Sequence, residues 1–334
     1  MVTPRTQAAR RSLRRAALAS GCTLILTGGV VAAPPAHAED REITAADQPY
    51  YSYYHLDTAR AKGYTGAGVT IAIIDGPVDT SVPELVGANI TDKSPCSVTS
   101  SAAHRSHGTT VASLLVSGAY GTVPDATLLA YQRPDDASFV GADCPMKAGV
   151  LPTEVSSLIN KAINDGASII NYSATSPSPS NHLKWAIARA MSQGIIITYS
   201  ASSLSHSDHL KWAIAHAMNE GVLITAGAGN AHEDDNETSL SWWSGVVGVS
   251  AIDTDGKFAS YSSWGQGVTT TAVGGPIVAR DESGQISSTQ GTSFSSPIVA
   301  GALAQARAKW PNATSNQLLQ LLVNTASTPE GGRD

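Results

Sequence analysis

Residues 169–195, IINYSATSPSPSNHLKWAIARAMSQGI, are followed at once by residues 196–222, IITYSASSLSHSDHLKWAIAHAMNEGV. Each copy opens on a short apolar run of the buried-strand kind and passes through a serine-rich loop. It then enters a helical pattern with Leu183, Ala186, Ile187, Ala190 and Met191, or Leu210, Ala213, Ile214, Ala217 and Met218, on one face. Asn181 and Asp208 stand where N-caps belong, and Gly194 and Gly221 stop the helices. A third strand, VLITAGAGN (222–230), follows the second copy. Strand and helix alternating in this way predict an α/β fold with a parallel sheet and crossover helices. Two copies within a chain that does not otherwise repeat are too few for a solenoid. The copies differ at Arg189 against His216 and at Ser192-Gln193 against Asn219-Glu220, while the apolar face is kept, so both are expected to pack.

Outward from the repeat the same alternation continues. VTIAIID (69–75) and ATLLAYQ (126–132) read as buried strands, TEVSSLINKAIND (153–165) as a helix ended by Gly166, and SIINYS (168–173) as strand again. GVVGVSAI (245–252), VTTTAV (268–273) and the apolar helix PIVAGALAQARAKW (297–310) complete the domain.

The first 38 residues are of another kind: five arginines and no acid, then the interrupted apolar run AALASGCTLILTGGVVAA, then AHA before Glu39. This predicts a secretory signal peptide (1–38) cleaved after Ala38, with the membrane met only transiently during export. The flanking residues do not decide between the general and twin-arginine routes. The whole chain has 334 residues, 42% of them apolar and 14% charged, with a formal charge of −6. Without the leader, 16 basic residues face 27 acidic ones, a charge of −11 with no basic run, which argues against nucleic acid as a partner. Cys22 leaves with the leader; Cys96 and Cys144 form an even pair in an exported chain, which favours a disulfide over two free thiols.

Three polar stretches interrupt apolar surroundings: IIDGPVD with Asp75 at a strand end, HRSHGTTVASLL with His107 opening a helix, and GTSFSSPIVAG with Ser293 doing the same. Each alone reads as a cap or turn. Together, in the order Asp, His, Ser, they match one of the known chain orders of a nucleophilic triad. The triad order and the missing second glycine in GTSFS exclude an α/β-hydrolase elbow. His104 and His107 have a spacing used by some metal sites, but no supporting ligand is near in sequence, so no metal is assigned.

With these motifs the chain resembles the subtilisin-like serine proteases from about residue 67 to 327. HGTTVA is similar to the family's His-Gly-Thr-x-Val-Ala, and GTSFSSPIVAG to its Gly-Thr-Ser-x-x-x-Pro-x-Val-Ala-Gly. The resemblance implies a three-layer α/β fold with a central parallel sheet and helices on both faces, here carrying one duplicated strand–helix unit. It implies domains of 39–66 (an N-terminal extension) and 67–334 (the peptidase domain), and a secreted, monomeric serine endopeptidase acting on protein or peptide with no cofactor needed for the chemistry. Ser293 would be the nucleophile, His107 the base, and Asp75 the group that holds the imidazole. AGAGN (226–230) resembles the family's strand end that closes on an asparagine, so Asn230 would donate to the oxyanion. The substrate wall would be Ser173, Ala174 and Thr175 on one side and Gly227, Ala228 and Gly229 on the other. Two departures stand out: Thr175 where the family has glycine, and Gly76-Pro77 where it has Thr or Ser and then Gly. Family members bind structural calcium, but no dense acidic loop assigns one here, HEDDNE (232–237) being the one candidate. About 36 residues separate Glu39 from Asp75, too few for a folded prodomain, as in the short-extension actinobacterial members such as mycosins. The sequence stops at PEGGRD (329–334), with neither the family's final short strand nor the membrane helix of some mycosins, which fits a fragment.

The repeat falls between the wall serine and the oxyanion asparagine. If its extra strand joined the sheet there, the two walls would part by one strand spacing, about 4.8 Å, and the Asn230 donor, which must sit near ~3 Å from the oxyanion formed at Ser293, would not survive that shift. The expectation for a working enzyme is therefore an extra unit held at the edge. The alternative is a catalytically impaired protein that binds extended peptides or a partner.

Overall fold

The computed structural model describes residues 41–133, 143–145, 152–153, 155–173, 196–200, 224–234 and 246–327. The helices expected within 181–193 and 208–220 lie outside these residues.

Among the described residues eight strands form one sheet: β1 (Thr70–Asp75), β2 (Ile90–Asp92), β3 (Thr127–Gln132), β4 (Ile169–Tyr172), β5 (Ile196–Ser200), β6 (Ile224–Gly227), β7 (Val246–Ile252) and β8 (Val268–Val273). Their order is β2-β3-β1-β4-β5-β6-β7-β8, and every pairing is parallel. A separate antiparallel hairpin joins β9 (Ile277–Arg280) to β10 (Ile286–Thr289). The helices are α1 (Pro49–Tyr53), α2 (Leu56–Ala61), α3 (Ala102–Val116), α4 (Val155–Asn164), α5 (Thr292–Lys309) and α6 (Ser315–Thr325).

The runs read as buried strands are apolar on both faces because both faces are covered. Along β1, Ile71 and Ile73 join Leu128, Ala130 and Ile169 in the cluster under α3 and α5, where Val111, Leu114, Leu115, Ile298, Val299 and Leu303 are also buried. Ala72, Ile74, Leu129, Ile170 and Tyr172 are equally buried but belong to the opposite face, and α4, with buried Leu158 and Ala162, packs on β1 and β3. Three layers follow from this alternation. Each large aliphatic side chain so buried contributes about 1.5–3 kcal/mol. Helix α5 crosses β4, β5, β6, β7 and β8 and also touches α3, so the two helices share one layer.

The extra strand is not held at the edge. β5 pairs with β4 through Asn171–Thr198 and with β6 through Thr198–Thr225, in the middle of the sheet. The physical reason is the ladder itself: an apolar strand placed here satisfies its backbone N–H and C=O groups on both sides, which a looped-out strand could not.

The segment before β1 is fastened by polar contacts to the turn at Glu84, to the loop after α3 and to β9. The Ile43 amide donates to Glu84 Oε1 at 2.9 Å, Gln48 exchanges two hydrogen bonds with the backbone of Val278, and the Tyr50 hydroxyl donates to the Tyr120 carbonyl at 2.8 Å. Glu84 is held in turn by Arg280, whose Nε and Nη2 donate to its two oxygens at 3.0 and 2.8 Å. Cys96 and Cys144 are joined in a disulfide with Cα atoms 5.3 Å apart. No helix among the described residues is long and apolar enough to cross a membrane.

Candidate functional site

Asp75 is the last residue of β1 and its side chain is completely buried. Its Oδ1 accepts from the Gly76 amide at 2.7 Å and lies 2.8 Å from Nδ1 of His107. His107 does not open its helix as the sequence suggested: α3 begins at Ala102, because the Ser101 hydroxyl caps it by accepting from the His104 amide. That places His107 in the second turn, directly over the end of β1. The approach is backbone to backbone. A side chain on Gly76 would collide with the His104 carbonyl, and one on Gly108 with the Gly76 carbonyl. The departure at Gly76 is thus a fit to α3, and it leaves the Asp75–His107 contact in place.

The imidazole is 27% exposed. Burial pushes its pKa down, but the Asp75 carboxylate, through its charge and its hydrogen bond, outweighs burial and leaves the ring above the usual histidine value.

Ser293 sits in the first turn of α5. Gly291, the N-cap, has no side chain to cap that turn, and Asn230, three residues beyond the end of β6, does so instead. Its Oδ1 accepts from the Thr292 amide at 2.9 Å and from the Thr292 hydroxyl at 3.0 Å. The amide end of Asn230 is thereby turned toward the nucleophile side. Nδ2 of Asn230 lies 3.4 Å, and Oγ of Ser293 3.1 Å, from the point where a β-carbon on Gly291 would stand. Glycine at 291 leaves that point unfilled. Sequence reading overlooked Gly291 and Thr292 as site residues, although both belong to the quoted GTSFSSPIVAG.

The expectation that an in-sheet β5 would carry Asn230 away from Ser293 is therefore corrected. Asn230 follows β6, α5 packs on β6, and the two move together because Asn230 is bonded to Thr292. What β5 does separate is β4, which leads into Ser173, from β6, which ends in Gly227. Across that seam Ser200, not Ser173, is the register partner of Gly227. Phe294, next to Ser293, has its ring centroid 5.4 Å from that of His107. Among the described residues no hydrogen bond joins His107 to Ser293.

Of the expected wall, Ser173, Ala228 and Gly229 are buried, and Ala174 and Thr175 lie outside the described residues. Gly229 adopts φ 97°, a left-handed turn that only glycine enters easily, and so aims Asn230 at α5. Ser173 accepts a 2.7 Å hydrogen bond from Nδ2 of Asn171, and Oδ1 of Asn171 faces the Ser296 hydroxyl of α5 at 3.4 Å. Neither Asn171 nor Ser296 was singled out from the sequence. No three His, Cys, Asp or Glu side chains among the described residues converge on a point that could hold a metal ion, and residues 235–237 of HEDDNE lie outside the description.

The profile of the Subtilase family, Peptidase_S8, matches residues 66–334. Subtilisin DY of Bacillus licheniformis is 27% identical over 278 residues, spanning 81% of this chain and 88% of its own. An alkaline protease of Shouchella clausii is 28% identical over 304 residues, spanning 87% and 68%. Among solved structures, the prenylagaramide maturation protease PagA aligns with a TM-score of 0.59 at 24% identity over 84% of this chain and 91% of that one. A cold-adapted subtilisin-like serine proteinase aligns at 0.53 and 23% over 79% and 84%. At these identities the structural likenesses establish the fold.

Proposed function

This chain belongs to the subtilase family of serine-type peptidases, and from that premise we propose that it is a secreted, monomeric endopeptidase whose chemistry is carried by Asp75, His107 and Ser293 with Asn230. A hydroxyl is a poor nucleophile at neutral pH until a base removes its proton. In this reading His107 Nε2 takes the proton of Ser293 as Oγ adds to the substrate carbonyl. Asp75 holds the opposite nitrogen, Nδ1, in its N–H form and stabilises the imidazolium that results. The developing oxyanion is met by Nδ2 of Asn230 and by the backbone N–H of Ser293 at the helix N-terminus. His107 then returns the proton to the departing amine, and water repeats the sequence on the acyl-enzyme. Ser173 and the run Gly227–Gly229 would line an extended peptide.

The observation that carries this reading is the pairing of Ser293 Oγ with Asn230 Nδ2 around the open β-position of Gly291. A fluorophosphonate probe tests it. Labelling of the folded chain that vanishes in Ser293→Ala is the expected outcome, and a well-folded chain that takes no label overturns the reading.

Two observations favour a second reading. β5 stands between β4 and β6, and the imidazole has no hydrogen bond to the Ser293 hydroxyl among the described residues. A subtilase so divided would hold extended peptides, or a partner through the repeat, with little turnover. The same probe separates the two.

A further inference from the structure

Over their first five residues the two repeat copies differ at one position: IINYS against IITYS, Asn171 against Thr198. The two residues are register partners on adjacent parallel strands, and the Asn171 side chain points to one face of the sheet. That face is the one covered by α5, as Ile73, the register partner of Asn171 on β1, belongs to the cluster with Ile298 and Val299.

Asn171 is completely buried, and so is Ser296. A buried carboxamide left without partners is costly, so the bonds it makes are not incidental. Its amide donates to Ser173, at the exit of β4, and its carbonyl receives the hydroxyl of Ser296, three residues after Ser293 on the same helix. The asparagine thus spans from the strand beside Asp75 to the helix that presents Ser293. Three buried side chains are joined in line, Ser173, Asn171 and Ser296. The copy in which Asn171 is replaced by threonine is the strand inserted beside it.

We infer that Asn171 is a positioning residue: it ties the N-terminal part of α5, and hence Ser293, to β4 on the Asp75 side of the inserted strand. The inference rests on Ser293 being the nucleophile. Without the carboxamide, the start of α5 would be bound through Asn230, through Ser295 to the Ala272 carbonyl and through Gly291 to the Gly274 carbonyl, all of them on the far side of β5. The substitution suited to a test is Asn171→Thr, since the neighbouring strand already carries threonine at the same register.

The full chain, its Asn171→Thr and Ser296→Ala variants and the double variant are compared in two measurements. The first is the second-order rate of fluorophosphonate labelling as a function of pH. The second is amide hydrogen exchange in the peptide covering residues 290–298. The expected result is a fall of about ten- to a hundred-fold in the plateau labelling rate of Asn171→Thr, the range that small misplacements of a reacting group produce. The pH midpoint should stay fixed, because the Asp75–His107 pair is untouched. The double variant should be no slower than Asn171→Thr alone, since Ser296 acts through the carboxamide. Exchange in residues 290–298 should quicken while α3 keeps its protection. An unchanged rate, an unchanged exchange or a fully additive double variant overturns the inference. If the parent chain takes no label at all, the catalytic reading fails by itself. Exchange then decides the anchoring: quickened exchange supports it and unchanged exchange overturns it.

Discussion

Asp75 directs one carboxylate oxygen at both the Gly76 amide and the His107 imidazole, while its other oxygen is buried without a hydrogen-bond partner. The charge is therefore spent mainly on the imidazole, and the raised pKa of His107 is its consequence. The neutral ring is the form that can accept a proton. Labelling or hydrolysis should accordingly be lost as pH falls through a midpoint above the ordinary histidine value of about 6.5. A pH–rate profile checks this, and Asp75→Asn should move the midpoint downward as well as slow the reaction. The stability linkage has the opposite sense: the stabilisation from the imidazolium–carboxylate pair is full below about pH 6.5 and is lost as pH rises through the raised value. Asp75, His107, Ser293 and Asn230 could be singled out from the sequence as site candidates because each lies in a run of consecutive residues with a fixed pattern. Asn171 could not be, because its partners Ser173 and Ser296 stand 2 residues and 125 residues away and only folding brings all three together. The one signal available was the Asn–Thr difference between the copies.

At the scale of elements, β5 is where sequence and structure part. Its apolar character was plain, and so was its position between wall and oxyanion strand. Whether it would pair or loop out depends on ladder partners that no local pattern encodes, and it pairs with both β4 and β6. The short β2, the hairpin of β9 and β10, and helices α1 and α2 were missed because each is too brief to show a period. Removing residues 174–200 deletes one 27-residue copy and joins Ser173 to the loop of the other. The shortened chain should fold with β4 and β6 adjacent and bring the His107 and Ser293 halves closer by about one strand spacing, 4.8 Å. Its labelling rate should exceed that of the full chain. A folded deletion variant that labels no faster would show that the inserted strand does not limit the reaction.

At the scale of the whole molecule, the segment from Arg41 to Tyr54 acts as a clasp between distant parts. Ile43 meets Glu84, Glu84 meets Arg280, Gln48 meets Val278, and Tyr54 accepts from the Val273 amide. Burial pushes the Glu84 carboxyl up, but Arg280 and the Ile43 amide outweigh it and hold its pKa below the usual glutamate value. Its contribution is therefore present above about pH 4.5 and lost as pH falls through the lowered value. Glu84→Gln leaves Arg280, 12% exposed, without its counter-charge, and should cost about 3–5 kcal/mol in denaturant unfolding at neutral pH, with a smaller loss in acid. The insertion of β5 has a further consequence, of angle and not of distance. Neighbouring strands in a sheet are rotated relative to one another by about 20–25°. Every strand after β5, and the helix that lies on them, is therefore turned by one extra step relative to β1. Asn230 and Ser293 turn together and keep their mutual aim, whereas the imidazole plane, fixed by Asp75, stays behind. The repeat thus changes the bearing from which His107 sees the serine hydroxyl, and linear proton transfer depends on that bearing.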